Sequence, residues 1–260
     1  MSDRLDQVLV SRGLIASREK AKREIEAGHV YVNGVACNVT KKLVEDSDEI
    51  TIQDVFPYVS RAALKLKEAV ECFEINLSDA ICLDIGASTG GFTQVCLENG
   101  ASYVIALDVG YNQIDEELRN DKRVEVIEKY NFRYAIAEDF PRKSNFFCSD
   151  VSFISLSMIV PQIKHCITNS AIGVLLIKPQ FEAGKEFLDK HGVIKDKNVH
   201  KRVIHDIINL VNNEGYGVKG LIGSPIQGKD GNHEYLLYVE YHGINESVDV
   251  DNVVNQTFKM

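Results

Sequence analysis

Ile81-Cys82-Leu83-Asp84-Ile85-Gly86-Ala87-Ser88-Thr89-Gly90-Gly91-Phe92 is the stretch on which the reading of the fold turns. Its first five residues, apolar apart from one acid, read as a buried strand. The glycines then form a turn, and Phe92–Leu97 carries a helical pattern. Glycines at such a turn let backbone approach a ligand closely. The spacing is Gly-x-x-x-Gly-Gly, without the Gly-x-Gly-x-x-Gly of a dinucleotide fingerprint and without the Lys-Ser/Thr of a P-loop. A dehydrogenase is excluded on that spacing. A glycine-rich loop alone is also a common plain turn, so its neighbours must decide.

Outward from this stretch, further strands read at Tyr103–Leu107, Val124–Ile127, Asn145–Ser149, Gly173–Ile177, Gly217–Leu221 and Glu234–Glu240. Helical patterns fall between most of them, for example Ile154–His165 and Val199–Asn212. Apolar strands alternating with helices predict an open, mainly parallel α/β sheet of seven strands. The connection before the last strand lacks a helix, which suits an antiparallel final strand. In front of this unit, residues 3–27 hold two short helical patterns, the second capped by Ser17. Gly28–Val35 then reads as strand, Asn33-Gly34 tight turn and strand, with another strand at Glu49–Ile52. The expected division is a small α+β domain at 1–57, an α/β domain at 58–243 and a loosely ordered acidic tail at 244–260.

The chain has 260 residues, with Lys+Arg 29 against Asp+Glu 38 and a net charge of −9. A protein that wraps nucleic acid over its whole surface would be basic, so any such contact needs a local patch. One exists: Arg12, Arg18, Lys20, Lys22 and Arg23 face only Glu19, while acids collect at 45–54. Separated signs leave a basic face that can meet phosphates, although a solvated helix surface would look the same. The six cysteines have no Cys-x-x-Cys spacing, so no metal site is expected. Their dispersal, the lack of an apolar signal region and the shortness of the apolar run Ala171–Ile177 predict a cytoplasmic protein without membrane spans.

Asp108 ends the second strand of the sheet, 22 residues after Gly86. A carboxylate there can accept both ribose hydroxyls of an adenosine, and with no phosphate-binding signature the cofactor expected is S-adenosylmethionine. The candidate cofactor residues are Asp84, Gly86, Ala87, Ser88, Gly90, Gly91, Phe92 and Asp108. Polar groups also stand at strand ends, where ligands bind in open sheets: Asp150 after the fourth, Lys178 after the fifth and Glu234 at the start of the last. A lysine following Val174–Ile177 is expected to be half-desolvated, which favours its neutral amine, while nearby carboxylates oppose that shift. Lys65 borders the apolar stripe of a helix expected at Ser60–Phe73, within reach of the sheet.

Arg4-Leu5-Asp6, Gly13, Ser17-Arg18, Ala21, Ile25 and Gly28-His29-Val30-Tyr31-Val32-Asn33-Gly34 resemble the RNA-binding domain named after ribosomal protein S-four. That resemblance assigns the basic face, together with Arg4 and His29, to structured RNA. Tyr58–Leu66, Leu83–Thr93, Asp108–Tyr111, Asp150–Leu156, Leu176–Glu182 and Gly231–Tyr235 resemble the TlyA-type family of hemolysins and ribosomal RNA 2′-O-methyltransferases, whose second domain is FtsJ-like. The resemblance implies a Rossmann-like class I methyltransferase fold and places a Lys-Asp-Lys-Glu tetrad on Lys65, Asp150, Lys178 and Glu234. It implies methylation of a ribose 2′-hydroxyl on ribosomal RNA or a ribosomal subunit, with Lys178 as base or alkoxide stabiliser. Ala62-Ala63 and Gln94 depart from the family pattern. Lys197, Lys201 and Arg202 are expected on a mobile basic loop and helix start, within 182–202, that closes over RNA. The rival readings are a membrane-active hemolysin and an RNA-binding assembly factor without catalysis.

Overall fold

The computed structural model describes residues 2–53, 56–140, 142–228 and 231–259. They fall into two compact units, Met1–Pro57 and Tyr58–Met260.

In the first unit, β1 (Ser2–Arg4) leads into α1 (Leu5–Ser11) and α2 (Arg18–Glu26), followed by β2 (Val30–Val32), β3 (Val35–Ala36), β4 (Leu43–Glu45) and β5 (Ile50–Ile52). The Ser17 side chain caps α2 by accepting from Lys20 N at 3.3 Å. Asn33 and Gly34 turn the β2–β3 hairpin with φ of 52° and 76°, the positive values that a tight two-residue hairpin loop requires. Leu5, Leu9, Ala21, Ile25 and Val30 are fully buried between the helices and the strands. The β1–β4 pair has no counterpart in the sequence reading.

The second unit opens with α3 (Ala63–Cys72), which begins three residues later than expected. Then come β6 (Ile81–Ile85), α4 (Gly91–Glu98), β7 (Tyr103–Leu107), α5 (Glu116–Arg119), β8 (Val124–Ile127), β9 (Ser144–Ser149), α6 (Val160–Ile163), β10 (Ile167–Ile177), α7 (Pro179–Glu182), α8 (Lys197–Asn213), β11 (Tyr216–Gly223), β12 (Tyr235–Tyr241) and α9 (Val250–Thr257). The seven strands lie in the order β11-β12-β10-β9-β6-β7-β8. All neighbours from β10 to β8 are parallel. β12 is antiparallel to both β10 and β11. The chain leaves β6 toward β7 on one side while β9 lies on the other. This reversal opens a crevice at the carboxyl ends of β6 and β9, where open sheets bind ligands.

Two expectations are corrected. The helix expected at 154–165 is a short 3-10 turn at Leu156–Met158 followed by α6. Pro161, lacking an N–H, sits in the first turn of α6, where proline starts a helix rather than continues one. The tail expected to be loosely ordered is, over its described residues 244–259, not so. Asp249 caps α9 by accepting from Asn252 N at 2.9 Å, and Val250, Val254 and Thr257 bury one face of that helix.

Candidate active site

The register explains how distant residues meet. Ser149 of β9 lies beside Ile85 of β6, so the next residue, Asp150, emerges at the crevice. Ile177 of β10 pairs with Tyr235 of β12, so Lys178, just past one strand, faces Glu234, just before the other. Only an antiparallel β12 can bring its first residues to the edge where its neighbour ends. Lys65 arrives from α3 and is 6% exposed, buried like Lys178 at 7% and Glu234 at 2%.

The four side chains form a chain of alternating charge. Lys65 Nζ donates to Glu234 Oε2 at 2.6 Å and lies 3.6 Å from Asp150 Oδ2. The other oxygen of Asp150 meets Lys178 Nζ at 2.5 Å. Lys178 also donates to Ser152 Oγ at 2.8 Å, and Gln180 Nε2 donates to Glu234 Oε1 at 3.4 Å. Two ammonium and two carboxylate groups balance, which is how charges survive burial. Lys178 ends the series at a cleft of about 790 Å³ whose walls also include the glycine loop, Phe153 and Phe181.

Of the expected cofactor residues, Gly86, Ala87, Ser88, Gly91 and Phe92 line this cleft. Gly86 has φ of +85°, and a Cβ there would come within 2.8 Å of the Asp150 carbonyl oxygen. Backbone cannot yield at that distance, so glycine lets the loop lie directly against the acid's own main chain. Gly90 supports from behind: its φ is +96° and a Cβ would meet Leu118 Cδ1 at 2.4 Å. Asp108 stands at the end of β7 and braces the loop, its oxygens accepting from Ser88 N at 2.8 Å and Gly110 N at 2.7 Å.

Asp84 does not reach the cleft. It is 0% exposed, and its Oδ2 accepts from Thr93 Oγ1 at 2.6 Å, tying β6 to α4. Burial, aided by the nearby charge of Asp150, pushes its carboxyl up to about 7 against the hydrogen bond from Thr93. An acid raised in the folded state binds its proton more tightly there than when unfolded, where the value is 3.8. The stability it provides is therefore lost as pH rises from about 4 to about 7. Comparing Asp84→Asn with the parent by urea unfolding across that window, the stability difference should change by up to about 1.4 kcal/mol per pH unit. A constant difference would refute the proton-holding role.

Phe153, Phe181, Gln180 and Glu182 were not singled out as site residues by sequence. Phe153 is 91% exposed and has φ of +62°, an uncommon conformation for a bulky residue. Its ring lies 5.0 Å from that of Phe181. Glu182 holds this loop from beneath, accepting from Ser155 Oγ at 2.6 Å and from Leu156 N at 2.8 Å. An aromatic residue three positions after a site acid was the available signal.

The expected RNA contacts divide. Arg4 and Arg18 both bind the buried Asp6, at 2.9 Å and 3.1 Å, and Arg12 donates to the carbonyls of Glu45, Asp46 and Asp48. His29 Nδ1 lies 2.7 Å from Glu24 Oε2, with Arg23 Nε 3.5 Å from the other oxygen of that acid. These arginines and His29 bind within the unit, yet Arg12, Arg18 and Arg23 remain exposed, as Lys22 is, while Lys20 is half-buried. In the second unit, Lys197 donates to Asn255 at 3.2 Å, Lys201 pairs with Asp251 and Arg202 donates to the Ala183 carbonyl at 3.2 Å. The expected mobile loop is pinned instead: Asp189 accepts from His191 N at 2.8 Å and Val193 N at 3.0 Å and pairs with Lys195 at 2.8 Å. Acids thus neutralise Lys201 and Lys195, while Lys197 and Arg202 are held by uncharged oxygens.

No helix among the described residues is long and apolar enough to cross a membrane, and no metal-holding cluster is found among them.

Comparison with known proteins accounts for the arrangement. The profile of the FtsJ-like methyltransferases matches residues 58–241 and that of the S4 domain residues 3–50. YqxC of Bacillus subtilis, named as a candidate rRNA methyltransferase, is 45% identical over 93% of this chain and 86% of its own. The 16S/23S rRNA (cytidine-2′-O)-methyltransferase TlyA of Mycobacterium tuberculosis is 39% identical over 91% of this chain and 89% of its own. A solved structure described as a hemolysin candidate from Streptococcus thermophilus is 39% identical, covers 99% of this chain and 96% of its own, and superposes with a TM-score of 0.78.

Proposed function

The chain belongs to the FtsJ-like methyltransferases and carries an S4 domain before the catalytic unit, and from that premise we propose that it transfers a methyl group from S-adenosylmethionine to a ribose 2′-hydroxyl of ribosomal RNA. The observation that carries this reading is the Lys65–Asp150–Lys178–Glu234 series closing on one wall of the glycine-loop cleft. The names of the relatives supply the substrate.

The residues present fit the cofactor. A cleft of about 790 Å³ is of the size that holds a drug-sized ligand. Gly86, Ala87, Ser88 and Phe92 line that cleft, and Gly86 lets the loop seat against the Asp150 main chain. Asp108 uses one lone pair of each oxygen on Ser88 N and Gly110 N, and a carboxylate has about four such sites, so two remain for ribose hydroxyls. When bound, S-adenosylmethionine supplies an electrophilic methyl on a positively charged sulfur. Lys178 meets the attacking 2′-oxygen, either taking its proton or stabilising the negative charge that develops on it. Asp150 fixes the Lys178 amine, Lys65 fixes Asp150, and Glu234 fixes Lys65. Much of the acceleration comes from holding oxygen and methyl in line.

Phe153 presents an exposed ring against Phe181, over whose ring Lys178 Nζ lies at 5.8 Å, and is suited to stacking the base of the target nucleotide. Aromatic stacking is worth about 1–3 kcal/mol per base. Phe153→Ala should therefore lower kcat/KM for RNA by roughly ten- to a hundredfold, with cofactor affinity unchanged by calorimetry. A normal kcat/KM would remove the stacking role. The exposed cations of α2 meet phosphates at the S4 domain, so RNA affinity should fall with salt. The reaction itself is tested by mapping ribose methylations on ribosomal RNA from cells with and without the gene. Identical maps, with no tritium transfer by the purified protein to subunits or free RNA, would overturn the proposal.

A further inference from the structure

Each residue from 232 to 235 is gripped by a different element. Asn232 Nδ2 donates to the Gly192 carbonyl at 3.1 Å, and its Oδ1 accepts from Ile194 N at 3.4 Å. The His233 ring lies 4.4 Å from the ring of Phe258, at the end of α9. Glu234 holds Lys65. The Tyr235 hydroxyl lies 2.9 Å from His200 Nδ1 on α8.

His200 is 0% exposed, and its Nε2 is 3.0 Å from the Ile194 carbonyl. A carbonyl only accepts, so Nε2 carries the proton. Burial holds the pKa of His200 below the usual imidazole range, outweighing that hydrogen bond. The ring is thus neutral, and Nδ1 accepts from the Tyr235 hydroxyl. Phe258 stands perpendicular to the same imidazole, with ring centroids 4.9 Å apart, and lies under Lys197 Nζ at 5.4 Å.

α9 is seated to make these contacts. Lys201 pairs with Asp251, Lys197 donates to Asn255, and Thr257 covers Gly223, where a Cβ would come within 2.1 Å of the threonine hydroxyl. Gly223 is the β11 partner of Tyr235. This helix and Phe258 at its end therefore pack against His233 and against the β11 partner of Tyr235, and His233 and Tyr235 are the two residues that flank Glu234.

We propose that Phe258 and His200 are positioning residues for Glu234: through His233 and Tyr235 they set the angle at which its carboxylate meets Lys65. This rests on the methyl-transfer reading above. Glu234 lies just outside β12, so its placement depends on its neighbours. A 1 Å displacement in such a constellation can cost about a hundredfold in rate.

The test is single-turnover methyl transfer to ribosomal RNA, with the full chain and saturating S-adenosylmethionine. Phe258→Leu, which keeps apolar bulk but loses the ring, should slow the step by about tenfold and leave KM for RNA and cofactor affinity unchanged. Phe258→Tyr should restore the rate. In a Glu234→Gln background, Phe258→Leu should cause no further loss, because its effect passes through the carboxylate. An equal loss in both backgrounds, or none in either, overturns the inference. An independent reading comes from carboxyl-labelled glutamate by NMR, with the Glu234 signal assigned through Glu234→Gln. That signal should move in Phe258→Leu and stay in Phe258→Tyr, and an unmoved signal also overturns it. If the parent transfers no methyl, the functional reading fails by itself, and the NMR signal still decides the positioning.

Discussion

Lys178→Ala should lower methyl transfer by about a thousandfold or more, the combined scale of losing a proton acceptor and a charge aimed at the developing alkoxide. Its affinity for S-adenosylmethionine should hold, because Lys178 meets the cleft from the β10 side while Gly86, Ser88 and Asp108 belong to β6 and β7. Folding should suffer less than in Asp150→Asn: two carboxylates are then left to Lys65, but Asp150 is 14% exposed and lines the cleft, where water can solvate it. Lys178→Arg separates the two roles open to this amine. A guanidinium keeps the positive charge but does not give up its proton at neutral pH, so substantial residual activity would favour charge stabilisation and near-complete loss would favour proton abstraction. Retained turnover in Lys178→Ala, measured by tritium transfer, would eliminate this residue as the reacting group.

Asp150→Asn should do the reverse in balance, damaging stability as much as activity. Asp150 is the one acid that both lysines share. Its neutralisation leaves two buried ammonium groups with Glu234 alone. Breaking a buried ion pair by removing one partner costs about 3–5 kcal/mol, which for a domain of this size lowers Tm by roughly 10 °C. Adding Lys178→Met to Asp150→Asn restores the charge balance, with Lys65 and Glu234 still paired at 2.6 Å. Thermal melts should then recover most of the lost stability while methylation stays absent. If the double variant melts as low as Asp150→Asn, the penalty was not electrostatic and the account of the buried series is wrong.

Sequence showed the site more clearly than its supports. Asp150, Lys178 and Glu234 each stand next to an apolar strand, and strand ends are legible because the hydrophobic run stops there. Lys65 was legible from its place on the edge of a helical stripe. The residues that hold these four were hidden for different reasons. Asn232 acts through the backbone of a loop some 40 positions away, a pairing with no periodicity to betray it. β1 and β4 are three residues each and lie at opposite ends of their unit, too short for alternation to register. α9 was read by composition: its acids suggested disorder, while Val250, Val254 and Phe258 already had helical spacing. The basic start of α8 looked free because its partners on α9, Asp251 and Asn255, lay 50 or more residues later.

The insertion of β12 between β10 and β11 has a consequence for when activity can arise. Lys65 and the acid it touches most closely are 169 positions apart, and that acid precedes the last strand to be made. A chain emerging during synthesis presents both lysines and Asp150 while this fourth member is still untranslated. Until the late strand threads into its slot, two positive groups share one negative partner. On the methyl-transfer reading proposed above, a growing polypeptide of this kind is therefore expected to be inert toward ribosomal RNA until Glu234 is in place.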